Sequence, residues 1–220
     1  MCAQFGIDNH FTLLAELYNV KPSMQLSQMS GGRYLPYSKA PVIMAGESEP
    51  LVMKLMNFSL VPSWSKTPKV KFATHNARLE TIAEKPTWKK PFVSQRCLVP
   101  MTYFVEPIYE GPHAGYMVKF FEKAKDVMTA AGIWDQWMDK ETGEVLESFS
   151  IITDEPPEFI ERMGHDRCPV FLKKEAFKDW VDPNTKKATE LKEILNSTRE
   201  SLEFSVENDR AMRPGWEKRK

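Results

Sequence analysis

The run RCLVPMTYFVE, residues 96–106, decides how the chain folds. Apolar, aromatic and β-branched side chains fill it between Arg96 and Glu106, the composition of a buried strand. Three further stretches downstream read the same way: Tyr116 to Phe121, Val127 to Trp137 and Glu147 to Thr153, the last two joined by a turn at Lys140 to Gly143. Upstream, Leu51 to Leu60 is a strand that runs into the turn Pro62-Ser63-Trp64. Val20 to Pro50, rich in Ser, Gly, Pro and Met, reads mostly as loop with a strand at Val42 to Ala45. Helical spacing predicts a helix at Phe11 to Asn19, a short one at Asn76 to Glu84, and amphipathic ones at Pro156 to Met163, Lys173 to Val181 and Thr185 to Asn196. Phe204 to Val206 closes the chain as a short strand. The class expected is α+β, a single domain over 2–209 with a curved antiparallel sheet and peripheral helices, followed by a frayed basic tail at 210–220.

Composition narrows the function. Of 220 residues 42% are apolar, enough for a core, and 30 basic side chains balance 30 acidic ones. Nucleic-acid binding would therefore need a local basic patch. Cys2, Cys97 and Cys168 are an odd number at wide spacing, which fits neither a disulfide framework nor a zinc site and predicts reduced thiols in a cytosol-like compartment. The start MCAQFGIDNH has no basic region ahead of an apolar one, and no window approaches the ~20 apolar residues of a membrane span. A soluble cytoplasmic protein, monomeric and without a membrane partner, is expected. Four scattered histidines and the lack of a glycine-rich phosphate loop argue against metal, nucleotide or other cofactor.

Cys2 is unusual for its position. Once Met1 is removed it carries a free α-amine two carbons from a thiol. Such an amine has a pKa of about 7.7–8.0, so part of it is neutral near pH 7 and attacks aldehydes to form an imine. The thiol then closes a five-membered thiazolidine, which an internal cysteine cannot do. The bland alternative is a cysteine placed by chance in a loose chain start. Three polar segments bear on the choice. In His75-Asn76-Ala77-Arg78-Leu79-Glu80-Thr81, the Asn76 amide and Arg78 guanidinium suit a reacting carbonyl and a phosphate, or else a helix cap and a surface ion pair. Glu106 ends an apolar strand, where it is either desolvated with a raised pKa, fit to move protons near neutrality, or simply solvent-facing. His165-Asp166-Arg167-Cys168-Pro169 holds an imidazole that acts as a base or is a satisfied surface histidine.

Taken in order, Cys2, Ser59-Leu60-Val61-Pro62-Ser63-Trp64, Asn76 to Thr81, Arg96 to Pro100 with Glu106, and His165 to Pro169 resemble the SOS-response-associated peptidase family of abasic-site processing proteins. The five blocks span roughly residues 2 to 172. The resemblance implies a barrel-like sheet, and a thiazolidine crosslink between Cys2 and the ring-opened sugar of an abasic site in single-stranded DNA. By the same resemblance Asn76 positions the reacting centre and Glu106 and His165 shuttle protons. Arg78 and Arg167 grip flanking phosphates and Trp64 stacks beside a base, while Lys66, Lys69 and Lys71 supply positive charge that a merely solvated lysine face would also explain.

The chain departs from the family pattern near this site. Ala3 and Gln4 replace Gly-Arg, Phe58-Ser59 replace Trp-Gly, Pro107 follows Glu106 in place of tryptophan, and Cys168 replaces a methionine as a packing substitution. Two other readings stand beside abasic-site capture. One is a peptidase that uses Cys2 to process itself or another chain, and the other is a non-catalytic single-strand binder.

Overall fold

The computed structural model describes residues 3–8, 11–21, 26, 31–47, 49–124, 126–184 and 186–219. Among these, twelve strands form two sheets with five α-helices around them. The first sheet is antiparallel, in the order β12 (Phe204–Ala211), β8 (Tyr116–Glu122), β7 (Tyr103–Ile108), β1 (Phe5–Ile7) and β2 (Gly32–Tyr34). The second runs β11 (Cys168–Pro169), β10 (Val145–Asp154), β4 (Leu51–Phe58), β3 (Lys39–Ala45), β6 (Arg96–Met101) and β9 (Met128–Met138), with β5 (Asn76–Arg78) added to β10. Because β9 also pairs with β10, the path from β10 through β4, β3, β6 and β9 returns to its start and makes a small barrel. The expected curvature is there. The closing step, however, is parallel, with Ser148 opposite Asn57 and Phe149 opposite Phe58.

Four expectations need correction. The 96–106 run is two strands, and β6 and β7 belong to different sheets. The corner is Thr102, whose N–H bonds the Gly6 carbonyl at 2.8 Å while its hydroxyl accepts the Asp8 N–H at 3.0 Å. Asn76 to Glu84 is not a helix. Asn76–Arg78 lie parallel to Ile151, Ile152 and Thr153, Leu79 donates to the Thr153 carbonyl, and turns lead to α2 (Pro86–Ser94), whose first position is a proline. The open edge of β10 offers these residues ladder bonds that a short isolated helix could not match. Strand structure in the 20–50 region is also richer than expected, since β2 forms and β3 starts at Lys39. Pro41 is tolerated in β3 because that strand meets β6 only at Ile43 opposite Leu98. The last strand continues past Val206 to Ala211.

The helices sit close to their predicted places: α1 (Phe11–Tyr18), α3 (Glu158–Arg162), α4 (Phe177–Val181) after a 3₁₀ turn, and α5 (Ala188–Ser197). Arg96 ties α4 to the barrel. Its buried guanidinium donates to the carbonyls of Phe92, Trp180, Asp182 and Asn184.

Aromatic packing joins the two sheets and thereby positions the start of the chain. Phe5 meets Phe58 edge-on at 5.2 Å, and Phe58 stacks on Phe149 at 5.3 Å. Each buried phenylalanine contributes roughly 1.5–3 kcal/mol, so β1 is firmly held despite its three residues. Gly6 lets the Tyr103 ring lie across β1, because a Cβ there would fall 2.1 Å from that ring.

After β4 the chain turns through Ser59, buried and with φ of 115°, a backbone region suited to glycine. The family pattern has glycine here, so serine carries strain that glycine would release. Ser59→Gly is expected to raise stability by about 1 kcal/mol in urea denaturation, the released strain exceeding the entropy cost of glycine. A loss of stability would contradict this reading.

Candidate functional site

Asn76, Glu106 and His165 all become buried, although they come from β5, β7 and the loop before β11. Asn76 is carried by its pairing with Ile151 of β10. Neither its amide nitrogen nor its amide oxygen has a hydrogen-bond partner among the described residues. A buried amide left this way costs about 1–3 kcal/mol.

Glu106 lies on the inner face of β7, in step with Phe104, which stacks on Phe120 at 5.1 Å. The question the sequence left open is thereby answered: the carboxyl is desolvated, and burial pushes it up to about 7. His165 is fixed to the residue that follows Glu106, Pro107. The imidazole bonds the backbone carbonyl of Pro107 and meets Phe120 edge-on at 6.2 Å. Its Nε2 has no partner among the described residues, so the bond to Pro107 runs from Nδ1–H and Nε2 presents a lone pair. Burial holds this imidazole down to about 4. Near pH 7 the site therefore contains a carboxyl poised between its two forms and a neutral imidazole. Cys168 is buried close to Glu106, and burial together with that carboxylate's charge keeps it a thiol.

Arg167 pairs with Glu80 at 2.5 Å, linking the His165 loop to the segment that follows Asn76. Its charge is thus already engaged. Arg78 is exposed, as are Lys66, Lys69 and Lys71. Lys69 sits over the Tyr37 ring at 5.1 Å. Trp64 is 57% exposed on a turn that is itself held firmly: the Ser63 N–H donates to Asp135 at 2.8 Å and Trp137 Nε1 to the Ser65 carbonyl at 2.8 Å. Cys2 lies outside the described residues.

A groove runs past Asn76. One part, about 620 Å³, is lined by Tyr37, Lys69, Lys71, Phe72 and His75; the next, about 450 Å³, shares Phe72 and His75 and continues along Asn76, Arg78, Lys85 and Trp88. Trp64 reaches its rim through a 3.4 Å bond to the Pro86 carbonyl. His75 and Lys85 were not singled out from sequence. The only signal available was that His75 precedes Asn76 directly, and its half-buried ring, held low by burial, rests against Phe58 at 5.9 Å. Among the described residues no group of His, Cys, Asp and Glu could hold a metal ion, and no helix is long and apolar enough to cross a membrane.

Between about 4.5 and 7 the native state holds the Glu106 proton that the unfolded chain has lost, so this group makes stability fall as pH rises through that window. Glu106→Gln is expected to match the wild type at about pH 4.5 and to exceed it by on the order of 2–3 kcal/mol at about pH 8, read by urea denaturation. A difference that does not change with pH would refute the burial argument.

The model of the SOS response associated peptidase (SRAP) family matches residues 1–209. The abasic site processing protein YoqW of Bacillus subtilis is 31% identical over 202 residues, covering 89% of this chain and 86% of its own. The abasic site processing protein HMCES of Xenopus tropicalis is 28% identical over 175 residues, covering 67% of this chain and 52% of its own. A crystal structure of a Bacteroides thetaiotaomicron protein superimposes with a TM-score of 0.77 at 25% identity, covering 95% of this chain and 92% of that one.

Proposed function

The chain belongs to the SOS response associated peptidase family, and from that membership and the site's geometry we propose that it processes abasic sites by covalent capture in single-stranded DNA. The α-amine of mature Cys2 adds to the aldehyde of the ring-opened sugar, water leaves to give an imine, and the thiol adds to the imine carbon while its proton passes to nitrogen. One water is released overall, and the product is a thiazolidine.

The observation that carries this reading is the buried carboxyl of Glu106, pushed up to about 7, with the neutral imidazole of His165 bonded to the backbone of the next residue, Pro107. A group half protonated near neutrality can give a proton to the departing hydroxyl and take one from the thiol. His165 Nε2 accepts a hydrogen bond from the amine or thiol, and the two unpartnered ends of the Asn76 amide hold the aldehyde oxygen and the attacking nitrogen. Register supports delivery of Cys2 to this place. Phe5 lies opposite Phe104 and the Gln4 carbonyl accepts the Val105 N–H, so the antiparallel course of β1 leads toward Glu106, with Cys2 only about 7 Å of extended chain beyond Gln4. The groove beside Asn76 offers exposed rings and cations to a single strand: Trp64 stacks on a base, and Arg78, Lys66 and Lys69 contact phosphates. Arg167 joins them only by exchanging Glu80 for a phosphate.

Incubation of Met1-processed protein with abasic single-stranded DNA is expected to give a heat-stable adduct, seen as a mass gain on the intact protein. Cys2→Ala should abolish it. Asn76→Ala should slow it by about tenfold or more while leaving the unfolding midpoint unchanged or raised, because an amide without bonds stabilises nothing. An adduct that survives Cys2→Ala would defeat the proposal.

A further inference from the structure

A second cleft, about 680 Å³, opens on the outer face of the first sheet, lined by Pro107, Tyr109, Met117, Arg210, Arg213 and Trp216 among others. It lies at the rim where β7 ends, β8 and β1 begin and β12 ends, the same rim that carries Glu106 and the His165–Pro107 bond. Three features build it. A bulge in β12 leaves Asp209 unpaired in the ladder and sets Arg210 opposite Met117, so that Arg210 takes the outer face. Asp209 pairs with Arg33, whereas Arg210 donates to the Gln4 side chain at 3.3 Å, two residues from Cys2. Beyond the strand, Met212 bonds the Gly115 carbonyl, and the Trp216 ring comes to 3.1 Å of the point where a Cβ on Gly115 would stand. Gly115 has φ of 85°, so this close approach depends on glycine. Trp216 then sits 6.4 Å from Tyr109, partly exposed. Arg210 and Arg213 are both exposed, and neither forms an ion pair among the described residues.

We propose that this cleft is a second nucleotide subsite, in which Arg210 and Arg213 hold a backbone phosphate of single-stranded DNA and Trp216 stacks on its base. It takes the strand beside Gln4, apart from the Asn76 groove, with which it shares no lining residue. Two guanidiniums beside an amphipathic ring are the recognised means of holding a single strand without reading its sequence. The position of Arg210 against Gln4 adds a phosphate contact next to a residue that itself carries no charge. As a subsite for the captured strand it rests on the abasic-site reading, but binding of undamaged single strands tests it separately.

The test uses the full chain and a fluorescent single-stranded DNA of about 12 nucleotides without lesions, titrated by anisotropy at several salt concentrations. Arg210→Gln with Arg213→Gln is expected to weaken binding at least fivefold and to reduce the slope of log affinity against log salt by about 0.7, one phosphate's worth. Trp216→Ala should weaken it about tenfold with the slope unchanged. Wild-type tryptophan emission should be quenched on binding, less so in Trp216→Ala. Affinity and salt slope equal to wild type in the arginine variant would overturn the subsite while leaving adduct formation at Cys2 untouched. A wild type that forms no adduct yet shows these differences would instead sink the chemistry and keep the cleft.

Discussion

Strand β10 is the constraint on which the molecule depends. Along ten residues it bonds β9 on one edge and β4, then β5, on the other, and its end takes β11. A strand used on both edges tolerates no slip, since a shift of one residue would reverse every side chain. Its two serines are engaged inside the fold: Ser148 accepts the Val61 N–H at 2.8 Å, and Ser150 donates to the Thr74 carbonyl at 2.5 Å. The strand thereby sets the approach to Trp64, the position of Asn76 and the start of the Cys168 strand, so three separate blocks of sequence converge because they share one template.

Much of this was readable in advance where a signal was long. The apolar runs at 116–121, 127–137 and 147–153 proved to be strand, 96–106 proved to be two, and the helical spacings of the C-terminal half marked helices. The corner at Thr102 was hidden because the apolar run crosses it without interruption; only the distant partner, Gly6, makes the chain bend there. β5 was hidden for a similar reason. Three residues carry no periodicity, and their conformation is decided by Ile151–Thr153, far along the chain. Pro41 argued against a strand, and was accommodated by a sparsely paired side.

The residues of the candidate site were named by the order of their blocks, but their environments were not. Whether Glu106 faced water or core depended on which face of β7 met Phe120, a matter of sheet packing. The neutrality of His165 likewise follows from burial that its own turn sequence does not announce. The resemblance made Arg167 a phosphate contact, whereas Glu80 occupies its guanidinium. Nothing in the tail predicted Arg210 or Trp216 at the same rim, because a bulge and a glycine bring them there.

Proline at position 107, where the family pattern has tryptophan, leaves the hydrogen bond to the imidazole in place. What orients the imidazole is the carbonyl of residue 107, and every amino acid supplies that atom. The hydrogen bond itself consequently places no demand on the side chain of residue 107, whereas the carboxyl of its neighbour on the inner face owes its state to burial. Exchanging that side chain is then neutral for the bond.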